Sequence, residues 1–379
     1  MQTSARSLIT LLPTMSNLMK CLVLIACLIS HVLARKNLII DTDLFSDCDD
    51  AGALLLAATS PDVNLVGVNI NSQSSFSVLA ASAILNHYDH GRVPVGARRP
   101  LNDIPFFDNW TKRLGEFASK LATHWPKNMS DAEEAWDPVE LYRKLLAEAE
   151  DSSVTIASIG FLHNLSGLLN TTADSYSNYT GAELVKRKVM ELVVMGGDYP
   201  DGYEFNFWGD SPYTTAHVLR NWKSPIVYAG FRLGASVLSG GPLMADGPKT
   251  DPVRAAYILY SYYQPRWSFD PIAMLYAIGG LGGRFVYGNT HGYNTIVLNG
   301  GNGCNGCNIW VDDENVANQH WLEAKVGHDQ LGEELDMLYL RGAESAKRSL
   351  NPVGELPKFG DCKPEKPGLF GVPQVKSEL

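Results

Sequence analysis

The stretch that decides the fold reads Leu38-Ile39-Ile40-Asp41-Thr42-Asp43-Leu44-Phe45-Ser46-Asp47-Cys48-Asp49-Asp50-Ala51-Gly52-Ala53-Leu54. An apolar strand pattern leads directly into an apolar helix pattern, and the turn between them holds five carboxylates within ten residues. Open α/β sheets bind their ligands at such turns, at the carboxyl ends of strands. That much negative charge repels itself unless a hard cation neutralises it or some carboxylates stay protonated. The stretch therefore predicts a cation site; the plainer alternative is a solvated acidic loop with an Asp helix cap.

Strand and helix patterns alternate after this turn. Alternation without hairpin signals predicts an α/β fold, with a mainly parallel central β-sheet flanked by helices in an open doubly wound arrangement. The segment 100–138 is rich in Pro and aromatic residues and has no strand pattern, so we expect an inserted, partly helical surface segment. Strand patterns occupy residues 38–41, 64–70, 92–96, 154–160, 191–197 and 224–230, and helix patterns occupy residues 50–59 and 76–87.

The first 34 residues have the features of a signal peptide. Arg6 and Lys20 supply positive charge, residues 21–29 form a short apolar run, and small residues at 32–34 would suit a signal peptidase. The run is short for a membrane span, so an N-terminal membrane anchor is the alternative. Cleavage after Ala34 predicts a secreted protein with no stable membrane insertion.

The remaining chain is expected to form one domain. Residues 35–353 contain no linker-like tract, and residues 354–379 are predicted to be a flexible tail. The C-terminal Lys376-Ser377-Glu378-Leu379 differs from accepted ER-retention signals, which have Asp where Ser377 stands. A formal net charge of −10 and the absence of a clustered Lys/Arg patch argue against a nucleic-acid partner.

Sequons and cysteines support an extracellular location. Several sequons behind a leader predict a glycoprotein. The four cysteines beyond the leader suggest two disulfide bonds, with three connectivities open, and a Gly/Asn-rich setting suits a local bridge between Cys304 and Cys307. The sequons begin at Asn109, Asn128, Asn164, Asn170 and Asn178, and the four cysteines are Cys48, Cys304, Cys307 and Cys362.

Three later segments end strands with polar groups that could face the acidic turn. The first is residues 159–164, where a glycine turn exposes backbone groups. The second is residues 196–208, in which Glu204 and Asn206 alternate with Phe residues, which predicts one polar face on an extended segment. In the third, Asp270 precedes Pro271 at the start of an apolar helix, where a simple N-cap is the alternative.

Together and in this order, these segments resemble the inosine–uridine preferring nucleoside hydrolase superfamily. The acidic turn resembles the Asp-Thr-Asp…Asp-Asp-Ala signature of that family, in a longer variant. The segment 158–164 is similar to its Gly-Pro-Leu-Thr-Asn strand end, residues 195–206 to its Met-Gly-Gly…Glu-Phe-Asn segment, and Asp270-Pro271 to its His-Asp-Pro. The resemblance extends from about residue 38 to residue 340.

The resemblance implies a Ca²⁺-dependent N-ribohydrolase that splits a nucleoside or related riboside into base and ribose. It implies Asp49 as the general base that activates a water, and an oxocarbenium-like transition state. All the implied metal ligands are oxygen donors, as a hard cation requires. Asp47 would be either a further ligand or a neighbour of the ligands that does not bind the metal itself. By motif position the metal ligands are Asp43, Asp50, Asp270 and the carbonyl of Ile159, and the substrate-binding residues are Asn71, Glu204 and Asn206.

A departure from the family pattern concerns the leaving base, and an agreement with it concerns the glycans. Phe269 stands where better-known members have a His that is a candidate proton donor to the leaving base, so we expect a phenol to take this role or activated ribosides to be preferred. Asn164 corresponds to a structural Asn, so its sequon is expected to stay unmodified. The candidate phenols are Tyr199, Tyr203, Tyr262 and Tyr263.

Two other readings remain open from the sequence. One is a catalytically diverged protein of the same fold that binds a ribosyl ligand. The other is a phosphatase-type acid hydrolase, for which the required Lys and Thr motifs cannot be placed. The base specificity and the oligomeric state, a homo-oligomer included, are not determined by the sequence.

Overall fold

The computed structural model describes residues 35–45, 47–108, 115–300, 303–346 and 352–353. Its strands are β1 (Lys36–Thr42), β2 (Val63–Ile70), β3 (Val95–Ala97), β4 (Val154–Ile159), β5 (Val189–Met195), β6 (Asp201–Gly202), β7 (Ile226–Ala229), β8 (Leu238–Ser239), β9 (Arg266–Trp267), β10 (Phe285–Tyr287), β11 (Tyr293–Ile296), β12 (Asn308–Val311) and β13 (Gln319–Ala324).

The α-helices are α1 (Asp49–Thr59), α2 (Ser75–His87), α3 (Ala118–His124), α4 (Pro138–Glu148), α5 (His163–Leu169), α6 (Gly181–Lys188), α7 (Phe205–Trp208), α8 (Pro212–Asn221), α9 (Phe231–Ala235), α10 (Gly241–Asp246), α11 (Pro252–Ser261), α12 (Phe269–Gly279) and α13 (His328–Ser345), with a 3₁₀ turn at Ala132–Glu134. Within the described residues, none of these helices is both long enough and apolar enough to span a bilayer.

An eight-stranded sheet runs through the centre in the order β10-β13-β7-β5-β4-β1-β2-β3. Neighbouring strands are parallel except for β10, which pairs antiparallel with β13. Two small antiparallel sheets, β11-β12-β6 and β8-β9, lie outside it. The predicted α/β fold with a mainly parallel sheet flanked by helices is therefore confirmed.

Successive side chains of β1 enter two different cores. Leu38 and Ile40 pack in a core with Leu54 of α1 and Ile272 of α12. Ile39, between them, packs in a second core with helices α4, α5, α6 and α8. Side chains alternate between the two faces of a strand, so a strand that is apolar at every position can bury both faces. This explains why the central strands read as continuous apolar runs.

The order of strands reverses next to β1. The chain proceeds from β1 outward through β2 to β3, and β4 then returns to the opposite side of β1. Such a reversal opens a crevice at the carboxyl ends of the two strands, where ligands of doubly wound sheets bind. Thr42 pairs in register with Ile159 here, so the acidic turn and the end of β4 meet at the reversal.

Two sequence predictions need correction. The segment 100–138 is not confined to the surface, because Phe117, Leu121 and Trp125 are buried in the first core. Residues 205–208 form one helical turn rather than an extended strand, because the side chain of Glu204 accepts the amide of Asn206 and caps the turn.

The cysteine prediction is confirmed for one bridge. Cys304 and Cys307 form the expected local disulfide. Cys48 is a buried free thiol at the start of α1, and because Cys362 is not described, a second bridge stays a prediction. The predicted leader and tail, the sequon at Asn109 and Cys362 lie outside the described residues.

Candidate metal centre and active site

The carboxylates of the acidic turn are buried together. Asp43 is 2% exposed, Asp49 and Asp50 are each 1% exposed, and Asp270 is 5% exposed. Asp49 and Asp50 begin α1, while Asp270 lies in the first turn of α12. The backbone amide of Asp270 donates to Oδ2 of Asp49 at 3.1 Å, which joins the two helix starts. The turn is therefore not the solvated loop of the plainer reading.

Asp50 is fixed by the end of β1. Its Oδ1 accepts the hydroxyl of Thr42 in a short hydrogen bond and the amide of Leu44 at 3.2 Å. Leu44 has a φ of +46°, a left-handed conformation that costs a non-glycine residue on the order of 1 kcal/mol or more. This strained residue donates to a carboxylate of the cluster, as expected where the surroundings hold a functional geometry.

Mutual repulsion and burial shift the carboxyl groups of the cluster. Burial is the largest cause that raises the pKa of Asp50, followed by the negative charges of Asp43 and Asp47. The pKa of Asp270 is raised by burial first and then by Asp50, Asp47 and Asp43. A hard divalent cation would relieve both effects, and a donor set made only of oxygens fits that cation. The cluster therefore fits a metal ion on the chemistry of its residues.

The distances leave a choice among the ligands. Among the described residues, Asp47, Asp49 and Asp50 each offer a carboxylate oxygen within 4.8 Å of the others. The sequence instead assigned Asp43, Asp50 and Asp270, whose charges act on one another. We favour the second set, because the carboxylate of Asp47 already forms an ion pair with Arg266. The ligand role of Ile159, adjacent to Thr42 in the sheet, stays a prediction.

Gly160 explains how the end of β4 approaches the acidic turn. A methyl group at this position would lie 2.7 Å from the backbone nitrogen of Asp43 and 2.8 Å from the amide of Asn71. Only a residue without a side chain permits this close approach. The glycine turn predicted after β4 is thus a packing requirement of the site.

Asp41 is a buried hub that sequence reasoning missed. Its carboxylate accepts hydrogen bonds from Asn71 at 2.6 Å, from Tyr142 at 2.8 Å and from Asn164 at 3.3 Å. Burial raises the pKa of Asp41 to about 7, although these three donors lower it. The sequence could not show that Asp41 accepts these three hydrogen bonds, because its three partners come from distant parts of the chain.

Two predictions meet at this hub. Asn71 also accepts the amide of Phe161 at 3.0 Å, so its side chain links β1 and β4 within the protein, and its substrate contact stays a prediction. Asn164 is 1% exposed and donates to Asp41, which leaves no room for a glycan. The sequon asparagines Asn128, Asn170 and Asn178 are exposed.

Glu204 and Asn206 lie beside the cluster. Glu204 accepts the amides of Gly197 at 3.0 Å and Asn206 at 2.8 Å, and burial raises its pKa to about 7. The charge of Asp43 adds to this shift, which places the two carboxylates within electrostatic reach. Asn206 donates to the carbonyl of Met195 at 3.2 Å. Both side chains are buried, and their sugar contacts stay predictions.

Phe269 packs against two aromatic rings. Its ring stacks on Phe231 with centroids 5.3 Å apart and meets Trp267 at 5.9 Å. A side chain on Gly234 would collide with it, since a methyl group there lies 2.5 Å from the ring. The position is therefore closely packed and supplies no proton.

The four candidate phenols differ in their availability. Tyr199 is buried, and its hydroxyl donates to the carbonyl of Gly196 and accepts from Asn294 at 2.9 Å, which argues against an acid role. Tyr203 is 52% exposed and stacks flat on Trp208. The others, Tyr262 and Tyr263, are about half exposed.

Sequence reasoning also missed the role of Arg266. This residue lies on β9, four positions before Asp270, and its guanidinium contacts Asp47 at 2.6 Å. The sequence does show a positive side chain shortly before Asp270 in a chain of net charge −10, which could have indicated a partner for the acidic turn. Its partner could not be read from the sequence, because 219 positions separate the two residues.

Comparison with known proteins agrees with this geometry. The family model described as "Inosine-uridine preferring nucleoside hydrolase" matches residues 38–326. Among curated proteins, no significant match is found.

Solved structures share the fold at low sequence identity. An inosine-guanosine nucleoside hydrolase is 19% identical, with a TM-score of 0.61 over 82% of this chain and 99% of that one. A plant nucleoside hydrolase is 17% identical, with a TM-score of 0.60 over 80% and 99%. The type III effector XopQ, solved with adenosine diphosphate ribose, is 12% identical, with a TM-score of 0.56 over 85% and 98%.

Proposed function

Because the chain belongs to the inosine-uridine preferring nucleoside hydrolase family, we propose that it is a secreted, Ca²⁺-dependent N-ribohydrolase. Its substrate would be a nucleoside or related riboside, cleaved at the N-glycosidic bond to the free base and ribose. Family and fold support N-glycosyl hydrolysis in general. The single observation that carries the proposal is the buried carboxylate cluster at the β1/β4 reversal, whose side chains offer oxygen ligands and repel one another.

Each residue of the cluster has a distinct task in this proposal. Asp43, Asp50, Asp270 and the carbonyl of Ile159 would hold Ca²⁺, whose chemistry is to make a nearby water more acidic and to bind vicinal hydroxyls. Asp49 would take the proton of the attacking water, and its Oδ2 is already oriented by the amide of Asp270.

The sugar would lie between the cluster and α7. Glu204 and Asn206 would bind its hydroxyls, and Asn71 would keep β1 and β4 in place beneath it. Because these polar groups are buried, a sugar that lacks a matching hydroxyl would leave them unpaired and bind poorly. The base would depart toward the aromatic side around Phe269.

The test is a panel of purine and pyrimidine nucleosides incubated with the purified full chain, with free ribose as the readout. We expect release of ribose with Ca²⁺, loss of release in EDTA, and recovery when Ca²⁺ is added back. Equal rates with EDTA and with Ca²⁺ would contradict metal dependence, and no release from any riboside would contradict the activity.

A second candidate is a non-catalytic protein that binds a ribosyl ligand. It is favoured by Phe269 in place of a candidate acid and by the likeness to XopQ, which was solved with adenosine diphosphate ribose. Calorimetry with adenosine diphosphate ribose separates the two. Tight binding without release of ribose from any compound of the panel would favour this second candidate.

Secretion is part of the proposal. It is supported by the leader-like pattern at residues 1–34 and by the exposed sequon asparagines Asn128, Asn170 and Asn178. Expression of the full chain in a eukaryotic cell should yield a glycosidase-sensitive product in the medium. A product that stays unglycosylated inside the cell would contradict secretion.

A further inference from the structure

A partly buried cation lies directly against the acidic turn. Nη2 of Arg266 donates to Oδ2 of Asp47 at 2.6 Å, and each side chain is only 15% exposed. Removing either partner of such a pair would leave an uncompensated charge in a desolvated place. The pair brings a positive side chain into direct contact with the acidic turn.

Aromatic rings fix the guanidinium in place. Its central carbon lies 5.3 Å from the ring centre of Tyr260, 5.0 Å from that of Trp267 and 5.8 Å from that of Phe269. The hydroxyl of Tyr260 in turn donates to Asp108 at 2.6 Å. Burial lowers the pKa of Arg266, but the negative charge of Asp47 and the hydrogen bond to it outweigh this effect, so the guanidinium stays charged.

Asp47 uses its two oxygens for two different purposes. While Oδ2 accepts Arg266, Oδ1 accepts the backbone amide of Asp49 at 3.1 Å. The segment 266–270 therefore holds the acidic turn at two points: through Arg266 on Asp47, and through the amide of Asp270 on the carboxylate of Asp49. Both points converge on the start of α1.

We propose that Arg266 is a positioning residue that withdraws Asp47 from the metal ligands and uses it to orient Asp49. The proposal rests on the function proposed above. Without Arg266, the oxygen of Asp47, which lies within 4.8 Å of oxygens of Asp49 and Asp50, is free to turn toward a cation. The backbone of Asp49 is then less constrained, and Asp47 becomes an additional carboxylate ligand of the cation.

A double-mutant cycle on the full chain tests this role, with calcium affinity measured by calorimetry without substrate. In R266Q the released Asp47 should bind calcium about tenfold more tightly, because ligand charge sets affinity. In D47N the unpaired guanidinium should weaken binding by a similar factor. The double variant D47N/R266Q should return close to the wild-type affinity, because both charges are gone.

Turnover of the best riboside supplies a second readout. R266Q should lower kcat by about 10- to 100-fold with little change in KM, because Asp49 is misplaced while the sugar contacts remain. The double variant should not lose more than R266Q alone. R266K, which keeps the charge, should bind calcium with an affinity close to that of the wild type, and circular dichroism and melting curves identify any variant that does not fold.

Three outcomes overturn the proposal. A double variant with much weaker calcium binding than the wild type would show that Asp47 is a ligand. A rise in KM in R266Q without a fall in kcat would show that Arg266 contacts the substrate. A wild-type chain that binds no calcium would remove the premise. If calcium affinity follows the cycle but no riboside is cleaved, the positioning role stands and the proposed activity fails.

Discussion

The two halves of the candidate site are built by different forces. In the acidic half, hydrogen bonds place the carboxylates: Asp50 accepts Thr42 and Leu44, and Asp49 accepts the amide of Asp270. In the aromatic half, the ring of Phe269 is held by packing against Phe231 and Trp267.

This difference indicates which half is free to vary. A carboxylate held by backbone donors at strand and helix ends keeps its position as long as the sheet keeps its register. A packed ring can be exchanged for another apolar side chain of similar volume at small cost. In the proposed function, chemistry that depends on exact placement would therefore lie in the acidic half, and preference for the leaving group would lie in the aromatic half.

Replacement of Asp49, the proposed general base, should have the largest effect. Asp49→Ala should lower kcat by about 10²–10⁴, the usual contribution of a positioned base, with calcium affinity little changed. Asp62→Ala is the matched control, since Asp62 is an exposed carboxylate just before β2, at the opposite end of the sheet, and it should behave as wild type. Near-normal turnover in Asp49→Ala would assign the base elsewhere, with Asp47 the first candidate.

The aromatic half predicts a strong preference for good leaving groups. A nitrophenyl riboside needs no proton from the enzyme, so it should be cleaved on the order of 10² faster than inosine, whose base requires one. Rates of the two substrates on the wild-type protein provide the measurement. Comparable rates would mean that an efficient acid exists, and Tyr203→Phe and Tyr262→Phe would then be the first variants to examine.

Stability should depend on pH through the buried carboxyls. Glu204 and Asp41 have ordinary pKa values of 4.5 and 3.8 that burial raises to about 7. Because the folded protein holds these protons more tightly, the free energy of unfolding without metal should fall as pH rises from about 5 to about 8. The loss should be on the order of 3 kcal/mol per group. Asp174, with a pKa lowered to about 2 by Arg143, acts only below this window.

Urea denaturation at pH 5 and pH 8, with EDTA or with Ca²⁺, measures this dependence. Calcium should stabilise more at pH 8, where it no longer competes with protons for the carboxylates. The variant Glu204→Gln should flatten the slope in EDTA. Equal free energies of unfolding at both pH values without metal would contradict the raised pKa values of these buried carboxyl groups.

The smallest effect is expected from the disulfide. Cys304 and Cys307 close a loop of four residues that packs on Trp208, because a methyl group at Gly306 would lie 2.5 Å from its Cβ. Replacing both cysteines by Ser should lower the free energy of unfolding by about 2 kcal/mol at most, as such a short loop restricts the unfolded chain little. Turnover should remain. A loss of turnover like that of Asp49→Ala would mean that the packing of this loop on Trp208 is required for the reaction.

Local patterns were enough to predict the central elements. The apolar run at β1, the acidic turn and the helix α1 were predicted within a few residues of their observed bounds, because strand burial and helix periodicity are properties of neighbouring residues. The one helical turn at α7 was not, since its cap depends on the burial of Glu204 beside Gly197.

The mainly parallel sheet and the carboxylate-rich turn after its first strand were predictable, because each of these features is a pattern of contiguous residues. The partners of Asp41, which are Asn71, Tyr142 and Asn164, and the ion pair of Arg266 with Asp47 were found only in the folded chain. A charge removed from water needs partners that are close in space, and the order of the strands in the sheet, rather than the order along the chain, determines which side chains are close.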